Sequence, residues 1–89
     1  MENIHINQKT AIKLGLNLSE ACVLDYLIKR SDFCDWFSLL IMANEIPFVS
    51  DKKDTMYRII KSLERKGVVS LRKTYSGEYS FTLTFNGGW

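Results

Sequence analysis

The sequence predicts an α+β fold in which three helices are followed by a C-terminal β-hairpin. Apolar residues recur with helical spacing through the first two thirds of the chain, and beyond Gly67 they alternate with polar residues. Strict alternation of aromatic and β-branched side chains is typical of strands that bury one face. The 89 residues suffice for one domain with one modest core and are too few for two.

Two helices are predicted in the first half of the chain. The first covers Glu20 to Lys29, with Ser19 as its N-cap because a hydroxyl can accept from the unpaired amides of the first turn. Its buried stripe consists of Val23, Leu24, Leu27 and Ile28. The second covers Leu39 to Glu45, after a short extended piece at Trp36 to Ser38. It stops before Pro47, because the residue preceding a proline is pushed out of the helical region.

A third helix, from about Asp51 to Lys66, is amphipathic and has a basic outer face. Ser50 is expected to cap it and Gly67 to end it. Its buried face consists of Met56, Ile59, Ile60 and Leu63. Its outer face consists of Asp54, Arg58, Lys61 and Arg65, flanked by Thr55 and Ser62 on one side and by Tyr57 on the other. We expect Asp54 to hold Arg58 in an i, i+4 ion pair.

The hairpin is predicted from two alternating runs of residues. The first run begins at Val69, and the second extends from Tyr79 to Phe85. Tyr75 to Glu78 forms the turn, since Gly77 can adopt a positive φ. The hairpin therefore has one buried face and a basic first strand.

The net charge of +2 is distributed unevenly along the chain. Residues 1–50 hold four Lys or Arg and six Asp or Glu, for a net charge of −2. Residues 51–73 hold eight basic and three acidic residues, for a net charge of +5. Positive charge concentrated in this way is typical of a phosphate-binding surface.

The order helix, extended piece, helix, turn, basic helix, hairpin resembles winged helix-turn-helix DNA-binding domains. The segment from Asp54 to Val69 (DTMYRIIKSLERKGVV) is similar to the family's pattern, in which a recognition helix ending in L-E-x-K-G-hydrophobic runs into the first wing strand. Leu18 to Ala21 resembles the start of the family's first helix, and the resemblance extends to Phe85. The Trp-Phe step before the second helix and the T-x-Y-R start of the third resemble domains of phage or plasmid replication and regulatory proteins.

This resemblance implies sequence-preferring binding of double-stranded DNA, in replication or transcription regulation, with the third helix in the major groove and the wing against the backbone. Arg58 is the favoured reader of a guanine edge, because its planar guanidinium can donate to O6 and N7 together. Thr55 and Tyr57 are candidate base or phosphate contacts. The other candidate contacts are Lys52, Lys53, Lys61, Ser62 and Arg65 around the helix and Arg72, Lys73 and Tyr75 in the wing.

The alternative is a winged-helix module that mediates protein contacts without binding DNA. Phe33, Trp36, Phe37 and Trp89 are more aromatic surface than so small a core absorbs, and an exposed aromatic patch marks a partner site. Burial of these aromatics, with Arg58, Lys61, Arg65 and Lys73 on one open face, would favour DNA. A basic helix face is also common in proteins that never bind nucleic acid, but the adjoining hairpin argues against that interpretation here.

Catalysis, cofactors and metal binding are not expected. The chain has one histidine, His5, no Gly-rich phosphate loop, and two cysteines, Cys22 and Cys34, without paired spacing. A cytoplasmic location is expected, because no apolar run reaches the roughly 20 residues of a membrane span and no secretory signal is recognisable. In that compartment two free thiols are favoured, although the spacing alone permits a disulfide.

The expected domain boundaries are simple. Residues 1–17 form an N-terminal extension with a short strand at Asn3 to Ile6 and a helical turn at Lys9 to Leu14, closed by Gly15. Residues 18–86 form the winged-helix domain, and residues 87–89 form a frayed tail. We expect a homodimer or a larger parent chain, because two half-sites multiply specificity.

Overall fold

The computed structural model describes residues 8–75 and 77–84, which form four helices and a three-stranded antiparallel sheet. The helices are α1 (Gln8–Leu14), α2 (Leu18–Arg30), α3 (Leu39–Glu45) and α4 (Lys53–Arg65). The strands are β1 (Trp36–Ser38), β2 (Val69–Tyr75) and β3 (Glu78–Leu83). The predicted α+β class is confirmed. In the part of the chain that is described, no helix is long and apolar enough to cross a membrane.

Some expectations concern residues that the structure does not describe. They are the extended piece at Asn3 to Ile6, the strand end at Phe85 and the tail at residues 87–89. The helical turn expected in the N-terminal extension is confirmed as α1, and Gly15 follows it with a φ of +74°.

The sheet has the strand order β1–β3–β2, so β3 lies between two edge strands. Tyr79 in β3 faces Phe37 of β1 on one side and Lys73 of β2 on the other. A register shift follows Lys73, and Gly77 in the turn has a φ of +75°, as its place in the predicted turn requires. The extended piece expected at Trp36 to Ser38 therefore belongs to the same sheet as the hairpin, a pairing that the spacing of residues did not predict.

The first helix of the predicted domain, α2, begins at Leu18 and is capped by Asn17, so the prediction of Ser19 as the N-cap was wrong. Asn17 Oδ1 accepts from the Glu20 amide at 2.8 Å, and Glu20 Oε1 accepts from the Asn17 amide at 2.9 Å. This capping box satisfies two amide donors reciprocally. Asn17 is favoured over Ser19 as the cap because Glu20 lies three residues after it and completes the capping box.

The start of α3 matches its prediction. Ser38 ends β1 and caps α3, and its Oγ accepts from the Ile41 amide at 3.4 Å. The chain leaves the helix at Ile46, directly ahead of Pro47, as expected for a residue that precedes proline.

The basic helix α4 is shorter than predicted, with 13 residues and a length of about 20 Å at 1.5 Å per residue. Lys52 occupies the N-cap without a side-chain hydrogen bond to the helix. Ser50 lies two residues earlier, and its Oγ accepts from the Lys52 amide at 3.1 Å, so the prediction of Ser50 as the cap was wrong. Gly67 follows the helix with a φ of +77°, as predicted.

The core lies between α2, α3, α4 and one face of the sheet. Its fully buried side chains include Val23, Leu24, Leu27, Phe37, Met42, Met56, Ile60 and Leu63. The buried faces predicted for α2 and α4 are confirmed, with Ile28 and Ile59 partly buried at their margins. Each such side chain stabilises the fold by about 1.5–3 kcal/mol, and together they hold α4 against both α2 and the sheet.

Candidate nucleic-acid interface

The exposed face of α4 forms a shallow depression of about 400 Å³, lined by Tyr57, Arg58, Lys61, Glu64 and Arg65. At about 100° per residue, Arg58 and Arg65 project at nearly the same angle, about 10 Å apart along the helix axis. Both are exposed, and no described residue forms a hydrogen bond or an ion pair with either side chain. Two guanidinium groups are therefore available to an external anion.

Lys61 has an internal partner in the same depression. Its Nζ lies 2.7 Å from Oε1 of Glu64. The hydrogen bond with Glu64 raises the pKa of Lys61, and the same bond lowers the pKa of Glu64. The predicted ion pair between Asp54 and Arg58 is wrong, because among the described residues of α4 the carboxylate that pairs with a cation of the helix is Glu64.

One flank of α4 faces α2 rather than solvent. Ser62 is half-buried, and its hydroxyl donates to Oε2 of Glu20. Just beyond α4, Lys66 Nζ lies 2.6 Å from Glu20 Oε1 and 2.6 Å from the Gly15 carbonyl oxygen. These contacts tie the end of α4 to the start of α2, and they give Ser62 and Lys66 internal partners.

Glu20 is a buried carboxylate, only 3% exposed. Burial raises its pKa, but hydrogen bonds from Lys66, Ser62 and the Asn17 amide lower it by more, so the pKa of Glu20 lies below its ordinary value of 4.5. The sequence predicted Glu20 only as the first residue of its helix. The N-x-x-E pattern could have revealed its capping role, whereas no local pattern reports its contact with Lys66, which lies 46 residues away.

The first turn of α4 borders a second cleft, of about 490 Å³. Its lining residues are Ser38, Leu39, Leu40, Lys53, Asp54, Tyr57, Gly77 and Glu78. Tyr57 lines both the cleft and the depression. Lys52 and Lys53 are exposed at this end of α4, and Thr55 is half-buried.

Strand alternation separates the two basic residues predicted in the wing. Lys73 is paired with Tyr79, on the sheet face that packs against the helices, and Arg72 projects from the other face. The rings of Tyr79 and Tyr57 lie 6.3 Å apart, so Lys73 is on the side of the hairpin that faces α4. Tyr75 follows the register shift and is 73% exposed.

The aromatic residues that motivated the alternative function divide between core and surface. Phe37 is fully buried, whereas Phe33 is 73% exposed and Trp36 is 39% exposed. Both exposed rings pack against the Arg30 guanidinium, at 5.6 Å and 4.9 Å from their centroids. Trp89 lies outside the described residues. Burial of these aromatic residues was the condition that would favour DNA binding over protein contacts. Phe37 meets this condition, whereas Phe33 and Trp36 do not.

The two cysteines differ in their burial. Cys22 is buried in α2, Cys34 is half-buried between α2 and β1, and both are free thiols. Burial, with a smaller effect from Asp25, raises the pKa of Cys22, which disfavours the reactive thiolate. Within the described ranges no group of three or more His, Cys, Asp or Glu residues is arranged to hold a metal ion.

Fold and surface together define a small α+β domain in which a basic helix face adjoins a hairpin. No protein-family model, no curated protein and no solved structure matches this chain. Its function has to be inferred from the side chains on this surface.

Proposed function

We propose that this chain is a winged helix-turn-helix domain that binds double-stranded DNA through α4 and the β2–β3 hairpin. In this proposal α3 and α4 form the helix-turn-helix, and the hairpin is the wing. The order α2–β1–α3–α4–β2–β3 supports it, because the resemblance to winged-helix domains rests on that order. A role in phage or plasmid replication or transcription regulation, and action as a homodimer or within a larger chain, follow from the resemblance and belong to the same proposal.

The observation that carries the proposal is the pair of exposed guanidinium groups on Arg58 and Arg65. Lys61 and Lys66 have carboxylate partners within the chain, whereas Arg58 and Arg65 have none among the described residues. Duplex DNA carries one negative charge about every 1.7 Å of its axis, so two arginines about 10 Å apart on one helix face can engage it together. A helix of ordinary diameter also fits the major groove, which is about 12 Å wide.

Each proposed contact has a stated role. Arg58 reads a guanine edge, because its outward position near the middle of α4 suits bidentate donation. Arg65 and Lys73 bind phosphates on either side of the groove, together with Lys52 and Lys53 at the start of α4. Lys61 is a fifth phosphate contact, in competition with its partner Glu64. Thr55, Tyr57 and Tyr75 are secondary candidates near these groups. Ser62, which is bonded to Glu20, and Arg72, which projects away from α4, are left out of the proposed interface.

A salt titration of duplex binding tests this proposal. Fluorescence anisotropy with a labelled duplex, between about 50 and 200 mM salt, should show an affinity loss of about 500-fold if five phosphates are contacted. The double variant Arg58→Glu/Arg65→Glu should abolish binding at the lower salt concentration. Lys9→Glu/Lys13→Glu makes the same charge change on α1 and should keep most of the affinity. Absence of duplex binding by folded wild-type protein at low salt would refute the proposal.

The role of Arg58 as a base reader makes a separate prediction. Arg58→Ala should relax sequence preference by about 1–3 kcal/mol, because the bidentate contact is lost. Lys73→Ala should weaken all sequences alike and reduce the slope of log K against log salt by about one. The comparison requires a duplex chosen by site selection and a scrambled duplex of equal length. Equal losses on both duplexes from both variants would remove the base-reading role from Arg58.

A second candidate function is supported by the exposed apolar side chains. Phe33, Trp36, Leu40, Ile41 and Phe48 are between 39% and 73% exposed, which fits a domain that docks onto another protein. This candidate predicts that the Arg58→Glu/Arg65→Glu variant leaves partner binding unchanged. It becomes the leading interpretation if folded wild-type protein binds no duplex.

A further inference from the structure

A carboxylate lies among the cations of the proposed DNA-binding surface. Glu64 lines the same depression as Arg58 and Arg65, and its side chain is 32% exposed. Its Oε1 is 2.7 Å from Lys61 Nζ. A negative charge on a phosphate-binding face repels the DNA backbone, and an internal ion pair occupies a lysine that would otherwise bind phosphate.

We propose that Glu64 limits the affinity of this surface for the DNA backbone, by holding Lys61 in an internal ion pair and by repelling phosphates directly. The inference rests on the proposed DNA-binding function and names the residue that sets its strength. A phosphate bound by Lys61 competes with Glu64 for the ammonium group and lies close to its carboxylate, so this contact contributes less than that of a cation without an internal partner. Weaker phosphate binding lowers the affinity for every sequence alike, and the preference set by the base contacts stays the same.

The position of Glu64 makes it suited to this role. It lies on the side of α4 that faces the hairpin, and the backbone of Leu71 in β2 contributes to keeping its pKa low, after the larger effect of Lys61. The carboxylate is therefore charged at neutral pH. It is located between the two elements that are proposed to contact DNA, so a backbone phosphate bridging them would approach it.

The first test is the variant Glu64→Gln, which keeps the shape of the side chain and removes its charge. It should raise the affinity for a random-sequence duplex by about three- to tenfold at low salt and steepen the salt slope by about one, because Lys61 becomes available to phosphate. The matched control is Asp32→Asn, which changes the net charge equally in the loop between α2 and β1, at the opposite edge of the sheet from β2. It should change affinity by less than about twofold, because Asp32 lies outside the proposed interface and salt weakens the effect of its charge.

A double-mutant cycle isolates the role of Lys61. Lys61→Gln should cost little affinity in the wild-type background and clearly more in the Glu64→Gln background, because only in the second is the lysine released. Equal costs in the two backgrounds would overturn the part of the inference that concerns the ion pair.

The outcomes separate this inference from the proposed function. Duplex binding by wild type, with Glu64→Gln no tighter than Asp32→Asn, overturns the inference and leaves the proposed function standing. No duplex binding by folded wild type overturns the proposed function and the inference together. Circular dichroism melts report the fold of each variant. If Glu64→Gln unfolds, the variant Lys61→Gln decides the question by itself. A loss of duplex affinity as large as that of Arg65→Gln overturns the inference, and a smaller loss of affinity supports it.

Discussion

Phe37→Ala is expected to lower the free energy of unfolding by about 3–5 kcal/mol. The Phe37 ring is fully buried, stacks on Tyr79 at a centroid distance of 5.7 Å and meets Phe81 edge-on at 5.8 Å. Strand β1 has only three residues, so loss of this ring removes most of what packs it against the core. Native proteins are stable by about 5–15 kcal/mol, so the variant should lose a large fraction of its stability.

Urea denaturation followed by far-UV circular dichroism measures this effect. Phe33→Ala is the matched control, because it removes the same atoms from a side chain that is 73% exposed. We expect it to cost no more than about 1 kcal/mol, mainly from its contact with the Arg30 guanidinium. Similar losses in the two variants would contradict the burial of Phe37.

Glu20→Gln is expected to lower the free energy of unfolding by about 2 kcal/mol at neutral pH. The substitution keeps the size of the side chain but removes the charge that Lys66 and Ser62 bind. It also leaves the Lys66 ammonium without its carboxylate partner. Since the network joins α2 to the end of α4, we expect the same variant to loosen the position of α4 and reduce duplex affinity.

The pH dependence of this effect follows from the pKa of Glu20. That pKa is lower in the folded protein than its ordinary value of 4.5, so the charged carboxylate stabilises the fold above pH 4.5 and this contribution is lost as the pH falls through the lower folded value. The stability gap between wild type and Glu20→Gln should be complete at neutral pH and close in acid. Glu78→Gln, the same change of acid to amide in strand β3, serves as the control. A gap that stayed constant with pH would point to packing rather than charge.

The parts of the fold that sequence predicted are those that local spacing reports. The apolar residues of α2 and α4 recur at helical intervals, and Leu24 and Ile60 are fully buried as that spacing requires. The bounds of α3 followed from Ser38 at its start and Pro47 after its end. These signals operate within one or two turns of the residue concerned, so they need no knowledge of the tertiary structure.

The parts that sequence missed depend on long-range or competing contacts. The pairing of β1 with β3 joins residues about 40 positions apart, and a three-residue extended piece carries no signal for its partner. Asp54 and Arg58 have the spacing of an ion pair, but the pair on this helix is Lys61 with Glu64. Local spacing shows which ion pairs are geometrically possible on a helix. The packing of the side chains determines which of them form.

The alternation of side chains along β2, which the sequence does show, places the two basic residues predicted in the wing on opposite faces of the sheet. Val69 and Leu71 are on the inner face of β2, so alternation places Lys73 with them and Arg72 opposite. The prediction had grouped Arg72 and Lys73 by charge alone. For Ser62 no such signal existed, because its contact with Glu20 depends on how α4 packs against α2.

Arg30 has a consequence for how the domain behaves in concentrated solution. It is the last residue of α2, and its Nε donates at 2.5 Å to the Trp36 carbonyl in the edge strand β1. The Cys34 thiol donates to the same oxygen. Edge strands with unsatisfied backbone groups recruit strands from other molecules, and this one has its acceptor occupied and its flank covered by a charged side chain. We therefore expect the C-terminal turn of α2 to oppose aggregation by sheet extension at β1.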